Sequence, residues 1–351
     1  MPEQRSGRPG PARHFVRSLV GLLVMILLAF GVISFVFTED RGVLVRNSLV
    51  VEDSSPTDFI WSPGSPPAGF RSELLQAPPL IRAVADSLRA ERNGAFSFDM
   101  EAAEALVKRL HRTHGDERPI RGNPEDTYRL IVDEGWGYCA DYTRTSMAIL
   151  HALEVPVRHW GMGFGDLGAG HTFIEVYMEE FGEWVFLDPF FAFWVRSPET
   201  ARPMSAIHFR DALLDGGSPN PVVEVIGEGI FSFPDEESIL VYYRGAAEYF
   251  YMYWGNNVFQ MHSHPVTSRL SSVSRSAGLL AGVALGVNPT IRPLPAATES
   301  HSAAVRELNR LRFTLLAAGL LFLLVGLWVL VEVVRGMVAL RRPLQPRTRT
   351  I

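Results

Sequence analysis

Gly135-Trp136-Gly137-Tyr138-Cys139-Ala140-Asp141-Tyr142 is the stretch from which the rest of the chain is read. Its two glycines permit a tight turn. After them, Met147, Leu150 and Leu153 fall at helical spacing, with no glycine or proline before Pro156, which predicts a helix over 140–153. Cys139 therefore stands at the first positions of a helix, where unpaired N–H groups and the helix dipole stabilise a thiolate. It is the single cysteine of the chain, so an intrachain disulfide and a cysteine-based zinc cluster are both excluded.

Outward from this stretch the pattern is helices first, then strands. Upstream, Leu80, Val84 and Leu88 repeat at four-residue spacing with Gly94 beyond, and Asp99 can cap a helix whose face holds Met100, Ala103, Val107 and Leu110. Asn123-Pro124-Glu125-Asp126 is a helix start with proline at the first position and acids at the positive end, and that helix should stop near Gly135. Downstream, 155–160, 172–178 and 184–187 are short runs rich in β-branched and aromatic residues, separated by turn formers such as Gly182. Val222–Val225 and Ile239–Tyr243 read as further strands. The aromatic cluster from Tyr249 to Phe259 reads as packing or as a membrane-facing surface. The fold class expected is α+β with an antiparallel sheet.

A thiolate needs a base and an orienting carboxylate before it can do chemistry. His171 opens the strand His171-Thr172-Phe173-Ile174-Glu175-Val176-Tyr177, and Asp188 ends Trp184-Val185-Phe186-Leu187-Asp188-Pro189. Two strands joined by the turn at 179–183 would bring both residues to one end of the sheet, opposite the helix start at Cys139. Taken in order, Gly137–Tyr142, the run Ala152-Leu153-Glu154-Val155-Pro156-Val157-Arg158, and these two strands resemble the core of the transglutaminase-like superfamily. The resemblance spans roughly Asn123 to Phe193, about a fifth of the chain. It implies a papain-like fold in which Cys139, His171 and Asp188 are the catalytic residues. Three features depart from the family pattern. Glu154 stands where glycine is usual, Thr172-Phe173 replaces Ala-Trp, and between residues 80 and 135 no tryptophan stands ahead of the cysteine to serve as an extra oxyanion donor.

Other signals have plainer readings. Asp141 suits the helix N-terminus electrostatically, and Trp136 and Tyr138 suit either packing or an acyl pocket. Gly163-Phe164-Gly165-Asp166-Leu167-Gly168 matches a dinucleotide-binding pattern, but a strand-like run follows it instead of a helix, so it is expected to be a loop near the site. His262-Ser263-His264 lacks nearby carboxylates or cysteine, so no metal and no organic cofactor is expected.

Two apolar runs, Leu19–Phe37 and Phe313–Val331, each hold nineteen residues without a charge. At 1.5 Å per residue each covers about 28 Å, enough to span a bilayer. A cleavable signal peptide would end its short apolar core in a small-x-small site. The first run instead leaves through Ser34-Phe35-Val36-Phe37-Thr38-Glu39, so it is expected to be retained. Arg5, Arg8, Arg13 and Arg17 precede it, and Arg335, Arg341, Arg342, Arg347 and Arg349 close the second, which places both termini in the cytoplasm against the opposing vote of Arg306, Arg310 and Arg312. The eleven-residue run 277–287 is too short to span and is expected to be a buried segment.

The layout expected is a cytoplasmic tail over 1–18, a transmembrane helix over 19–37, a proline-rich linker over 38–79, and a catalytic domain over 80–215. An extracytoplasmic extension over 216–312, a second transmembrane helix over 313–340 and a cytoplasmic tail over 341–351 complete it. With 33 basic and 38 acidic side chains, a net charge of −5, 47% hydrophobic and 20% charged residues, the chain is neither disordered nor polyanion-binding, and no nucleic-acid partner is expected. The functional expectation is an enzyme of the inner membrane that faces away from the cytoplasm. Its substrate would be a peptide or protein amide, converted by acyl transfer or hydrolysis through a thioester. The alternative is an inactive module of the same fold, a scaffold for envelope-assembly proteins that export or modify polysaccharide.

Overall fold

Four segments between 157 and 196 form an antiparallel meander in the computed structural model, which describes residues 11–36, 41–92, 97–120, 122–217, 219–227 and 233–341. They are β1 (Val157–Gly163), β2 (Gly170–Met178), β3 (Glu183–Asp188) and β4 (Phe193–Arg196). β5 (Val222–Val225) joins the β4 edge, while β6 (Phe250–Tyr253) and β7 (Ile291–Pro293) extend the sheet beyond β1. The order is β5-β4-β3-β2-β1-β6-β7, with every pair antiparallel. Directly opposed pairs such as Val157↔Val176, Trp160↔Phe173 and Ile174↔Leu187 place buried apolar side chains side by side across the sheet.

The helices are α1 (Pro11–Val36), α2 (Arg41–Val50), α3 (Pro79–Ala90), α4 (Met100–Leu110), α5 (Pro124–Glu134), α6 (Cys139–Ala152), α7 (Ala206–Leu214), α8 (Glu236–Ala246), α9 (Val258–Ser263), α10 (Pro265–Val273), α11 (Arg275–Ala284) and α12 (Glu299–Leu340). Their ends follow the local chemistry read from the sequence. The Asp99 side chain accepts from Ala102 N–H at the start of α4, and Asn123 accepts from Asp126 N–H at the start of α5. Within the unit formed by residues 40–309, α6 packs on β1 and β2 and gathers α3 and α5 around it.

The second unit comprises the described residues of 1–39 and 310–351. Here α1 and the second half of α12 are both long and apolar enough to cross a membrane, which is compatible with anchoring. Their leucine and phenylalanine side chains point outward, with Phe30 and Phe313 more than half exposed. They approach closely at Gly21, where a Cβ would meet Val329 at 2.4 Å. The charge that interrupts the second apolar run, Glu332, is buried and paired, 2.6 Å from His14 and 3.2 Å from Arg335. Both helices extend beyond the expected 19–37 and 313–340. Arg5, Arg8, Arg342, Arg347 and Arg349, on which the orientation argument leans, lie outside the described residues, as does Gly94.

Several expectations need correction. Of the linker expected over 38–79, the described part, 41–79, is packed onto the domain. Residues 41–50 form α2, Val51 bridges to Ile291, Arg71 N–H donates to Trp254 O, and Phe59 is buried against Trp160 with ring centroids 5.6 Å apart. The prolines of 56–79 keep most of this chain out of helix and sheet interiors, yet Phe59 is buried at the end of a single short 3-10 turn and Trp61 and Phe70 are half-buried beyond it. The boundary at 215 cuts through one sheet, because β5, β6 and β7 all come from the supposed extension.

Ile239–Tyr243 is not a strand but part of α8. Asp235 caps that helix by accepting from Ser238 N–H, and Glu236 and Glu237 fill its first turn, so the cap overrides the β-branched and aromatic composition. Tyr249–Trp254 is buried, which settles that part of the aromatic cluster as packing. The run 277–287 lies partly in α11, where Gly278 and Gly282 are buried and most of the other side chains only half so.

Candidate active site

The turn ahead of α6 is built by glycine. Gly135 closes α5 in the left-handed region at φ +68°, and Gly137 adopts φ +128°. A Cβ on Gly135 would also meet the Gly115 nitrogen at 2.3 Å. The chain thus enters α6 at Cys139, which is half-buried. Asp141 acts as the sequence suggests. Its Oδ2 accepts from Tyr138 N–H at 3.0 Å and from Ile120 N–H at 3.3 Å, which secures the helix start and ties down the preceding loop. Trp136 is half-buried, with the Arg118 guanidinium 4.6 Å from its ring centre.

The β2–β3 register brings the other two expected residues together. Ile174 opposes Leu187, so His171 and Asp188 project from the same end of adjacent strands. His171 Nε2 lies 2.6 Å from Asp188 Oδ2 and donates to it, leaving Nδ1 as the ring nitrogen free for the thiol. The Cys139 sulfur is near enough to His171 for each to shift the other's pKa, so sulfur, imidazole and carboxylate are brought together.

Asp188 is fully buried and accepts four hydrogen bonds. Phe190 N–H and Phe191 N–H donate to Oδ1 at 2.9 and 3.0 Å, while His171 and the Tyr243 hydroxyl share Oδ2, the latter at 2.5 Å. Asp188 therefore serves both readings open to it, turn initiator before Pro189 and partner of the imidazole. His111 supports the same turn by donating Nε2–H to Pro189 O at 2.8 Å. Burial lowers its pKa, against the raising effect of that bond, so the ring stays neutral.

The electrostatics favour an ion pair. For His171, burial works against the charged form, but the Asp188 carboxylate and the Cys139 sulfur outweigh it and raise the pKa to about 10. For Cys139, burial pushes the thiol up. The charge and hydrogen bond of His171, with the backbone and side chain of Thr172, bring it below its ordinary 9.0. Tyr243 is raised well above 10.0 by burial first and by the Asp188 charge next, so it remains a donor.

Sequence reasoning missed three participants. Tyr243 was hidden by the strand reading of 239–243, although Ile239, Leu240, Tyr243 and Ala246 carry the spacing of a buried helix face after the Asp235 cap. Thr172, seen only as a departure from a family pattern, helps lower the Cys139 pKa through its backbone and side chain, and its hydroxyl lies 3.3 Å from Thr143 Oγ1. His111 carried no signal at all.

The glycine-rich stretch 163–168 joins β1 to β2 as a hairpin loop, and no helix follows it. The His262 side chain lies outside the described residues. Among the described residues, no group of three or more His, Cys, Asp or Glu could hold a metal ion.

No family model and no curated protein matches the chain. Among solved structures it is similar to two of the periplasmic domain of TgpA from Pseudomonas aeruginosa, one of them bound to ethylmercury, both at 22% identity, with TM-scores of 0.27 and 0.26. The likeness covers 34% and 33% of this chain and 46% and 43% of those chains, so this chain spans less than half the length of either.

Proposed function

We propose that the chain is a membrane-anchored cysteine acyltransferase or amidohydrolase with a transglutaminase-like, papain-like core, acting on peptide or glutamine-like amides in the cell envelope. The observation that carries this reading is the grouping of half-buried Cys139 at a helix start with His171 and with the Asp188 carboxylate bonded to its ring, the imidazole pKa being raised to about 10. Such a ring keeps its proton at neutral pH, and above the lowered inflection of the thiol the pair is thiolate and imidazolium.

In the first half-reaction Cys139 Sγ attacks the amide carbonyl carbon, and the N–H of Cys139, free of intrahelical bonding at this position, helps hold the oxyanion. The C–N bond breaks as His171 gives its proton to the leaving amine, and a thioester remains. In the second, His171 takes a proton from water or from an incoming amine, the C–S bond breaks, and acid or new amide leaves. Asp188 keeps the ring oriented throughout and carries its counter-charge. Support for the anchor comes from the two long apolar helices. The flanking arginines support cytoplasmic termini at the inner membrane, with residues 40–309 on the other side.

The test uses the full chain in detergent micelles with carbobenzoxy-glutaminyl-glycine and with a mixture of other peptide amides. The expected result is an acyl adduct on Cys139 by intact mass, ammonia or amine released in equal amount, and a hydroxamate when hydroxylamine is added. Cys139→Ala and His171→Ala form none of these. If no amide acylates Cys139, and Cys139→Ala cells retain whatever process the gene supports, the chain is instead an inactive tethered module.

A further inference from the structure

The ring of His171 does not end the aromatic surface of the site. Phe191 stacks on it at 4.5 Å and 19°, and Tyr242 lies edge-on to both, 6.1 Å from His171 and 5.5 Å from Phe191. Phe164 packs edge-on to Tyr242 at 4.9 Å, and Phe233 closes the group, 4.7 Å from Phe191 and 5.4 Å from Tyr242.

Two features make this more than core packing. Phe164 is 44% exposed, at the outer end of a group whose inner members, Phe191 and His171, are buried. It sits in the β1–β2 hairpin beside Gly165, whose φ of +79° and open surroundings mark a loop held out from the core. The glycine-rich stretch at 163–168 thereby gains a purpose, which is to carry an aromatic ring to the mouth of the site. Tyr242 is only half-buried, and the Cys139 sulfur is among the charges acting on its hydroxyl. The rings therefore run without interruption from His171 to solvent at Phe164, whose exposed ring can take a further one.

We infer that Phe164, Tyr242, Phe191 and Phe233 form an aromatic shelf beside Cys139 that binds an aromatic side chain on the acyl donor, next to the bond being broken. The inference rests on the reading of Cys139 as the nucleophile, and it narrows the substrate to amides flanked by such a side chain. Continuity of the shelf with the His171 ring fixes its occupant, since a group lying on it is held alongside the sulfur.

Two alkylating reagents separate the shelf from the nucleophile. In both, the thiolate displaces iodide, a C–S bond replaces C–I, and the single cysteine makes intact mass sufficient as a readout. The rate ratio of N-benzyl-iodoacetamide to iodoacetamide is measured on the full chain in micelles and on free glutathione in the same micelles. The wild-type ratio is expected to exceed that of glutathione by about tenfold, the gain of one good ring contact. Phe164→Ala should bring it down to the glutathione value, and Phe164→Tyr, which keeps the ring, should preserve it. A wild-type ratio equal to that of glutathione, or one unchanged in Phe164→Ala, overturns the shelf alone. Failure of both reagents to label Cys139 overturns the nucleophile and the shelf together.

Discussion

Two carboxylates on adjacent strands make an instructive pair. Asp188 on β3 and Glu175 on β2 are both fully buried and both saturated with donors. Glu175 accepts from Arg158 Nε at 2.8 Å, Trp160 Nε1 at 2.5 Å and Ala206 N–H at 2.7 Å, while Arg158 reaches on to Phe59 O at 2.7 Å. Asp188 accepts from two backbone N–H groups, an imidazole and a phenol. Burial and satisfaction are equal, and the difference lies in the partners. A guanidinium and an indole hold their protons at every working pH, so Glu175 can only lock β1, β2, α7 and the wrapped 52–79 segment together. On the proposed reading the imidazole beside Asp188 exchanges its proton with the Cys139 thiol, so the same kind of buried anion there would serve chemistry.

The contrast yields predictions that differ in readout as well as size. The largest effect is expected at the imidazole. His171→Ala removes the charge that lowers the thiol but leaves the burial that raises it, so alkylation of Cys139 at about pH 6 should fall at least about a hundredfold, and loss of the charged partner of buried Asp188 should also lower folding stability by at least about 1.5–3 kcal/mol. A loss of less than about threefold would remove His171 from the account.

Glu175→Ala should act on stability alone and leave the alkylation rate of Cys139 in the folded protein unchanged. With Arg158 left buried and unpaired, folding stability in urea is expected to drop by about 3–5 kcal/mol, and a drop under about 1 kcal/mol would show that the pair contributes little.

Tyr243→Phe falls between the two regions. Loss of one charge-assisted bond to Asp188 should cost about 1.5–3 kcal/mol in the same assay. A carboxylate with one donor fewer holds the imidazolium more tightly, so the alkaline limb of the activity profile should move up by less than about one pH unit. A stability loss with an unmoved limb would make Tyr243 purely architectural.

The smallest effect concerns Glu154, which follows Leu153 at the end of α6 with φ +61°. Glycine relieves the left-handed strain, and the Glu154→Gly variant should gain about 1 kcal/mol. An unchanged or lower urea midpoint would contradict this.

Much of the molecule was legible from local signals, because caps and glycine turns act within a few residues. Asp99, Asn123, Gly135 and Cys139 all stand where the sequence placed them relative to their helices. What was not legible depends on distant partners. The proline-rich segment announces what its backbone cannot do, not that Phe59 will bury against Trp160 or that Arg71 will pair with Trp254. Likewise β6 acquires its place only through the register His159↔Tyr253, and no local pattern reveals that it extends the same sheet. Tyr243 combines both difficulties, since its helix was masked by β-prone composition and its bond to Asp188 crosses 55 residues.

The most direct test is the pH dependence of Cys139 alkylation by iodoacetamide in the full chain, measured beside His171→Ala. A lowered thiol pKa and an imidazole pKa near 10 mean that the ion pair exists from the thiol inflection up to about pH 10. The wild-type rate should therefore rise through an inflection below 9.0, while that of His171→Ala should sit above it. Coincident inflections at or above 9.0 in both proteins would mean that the imidazole does not activate the sulfur, and the catalytic account would be lost.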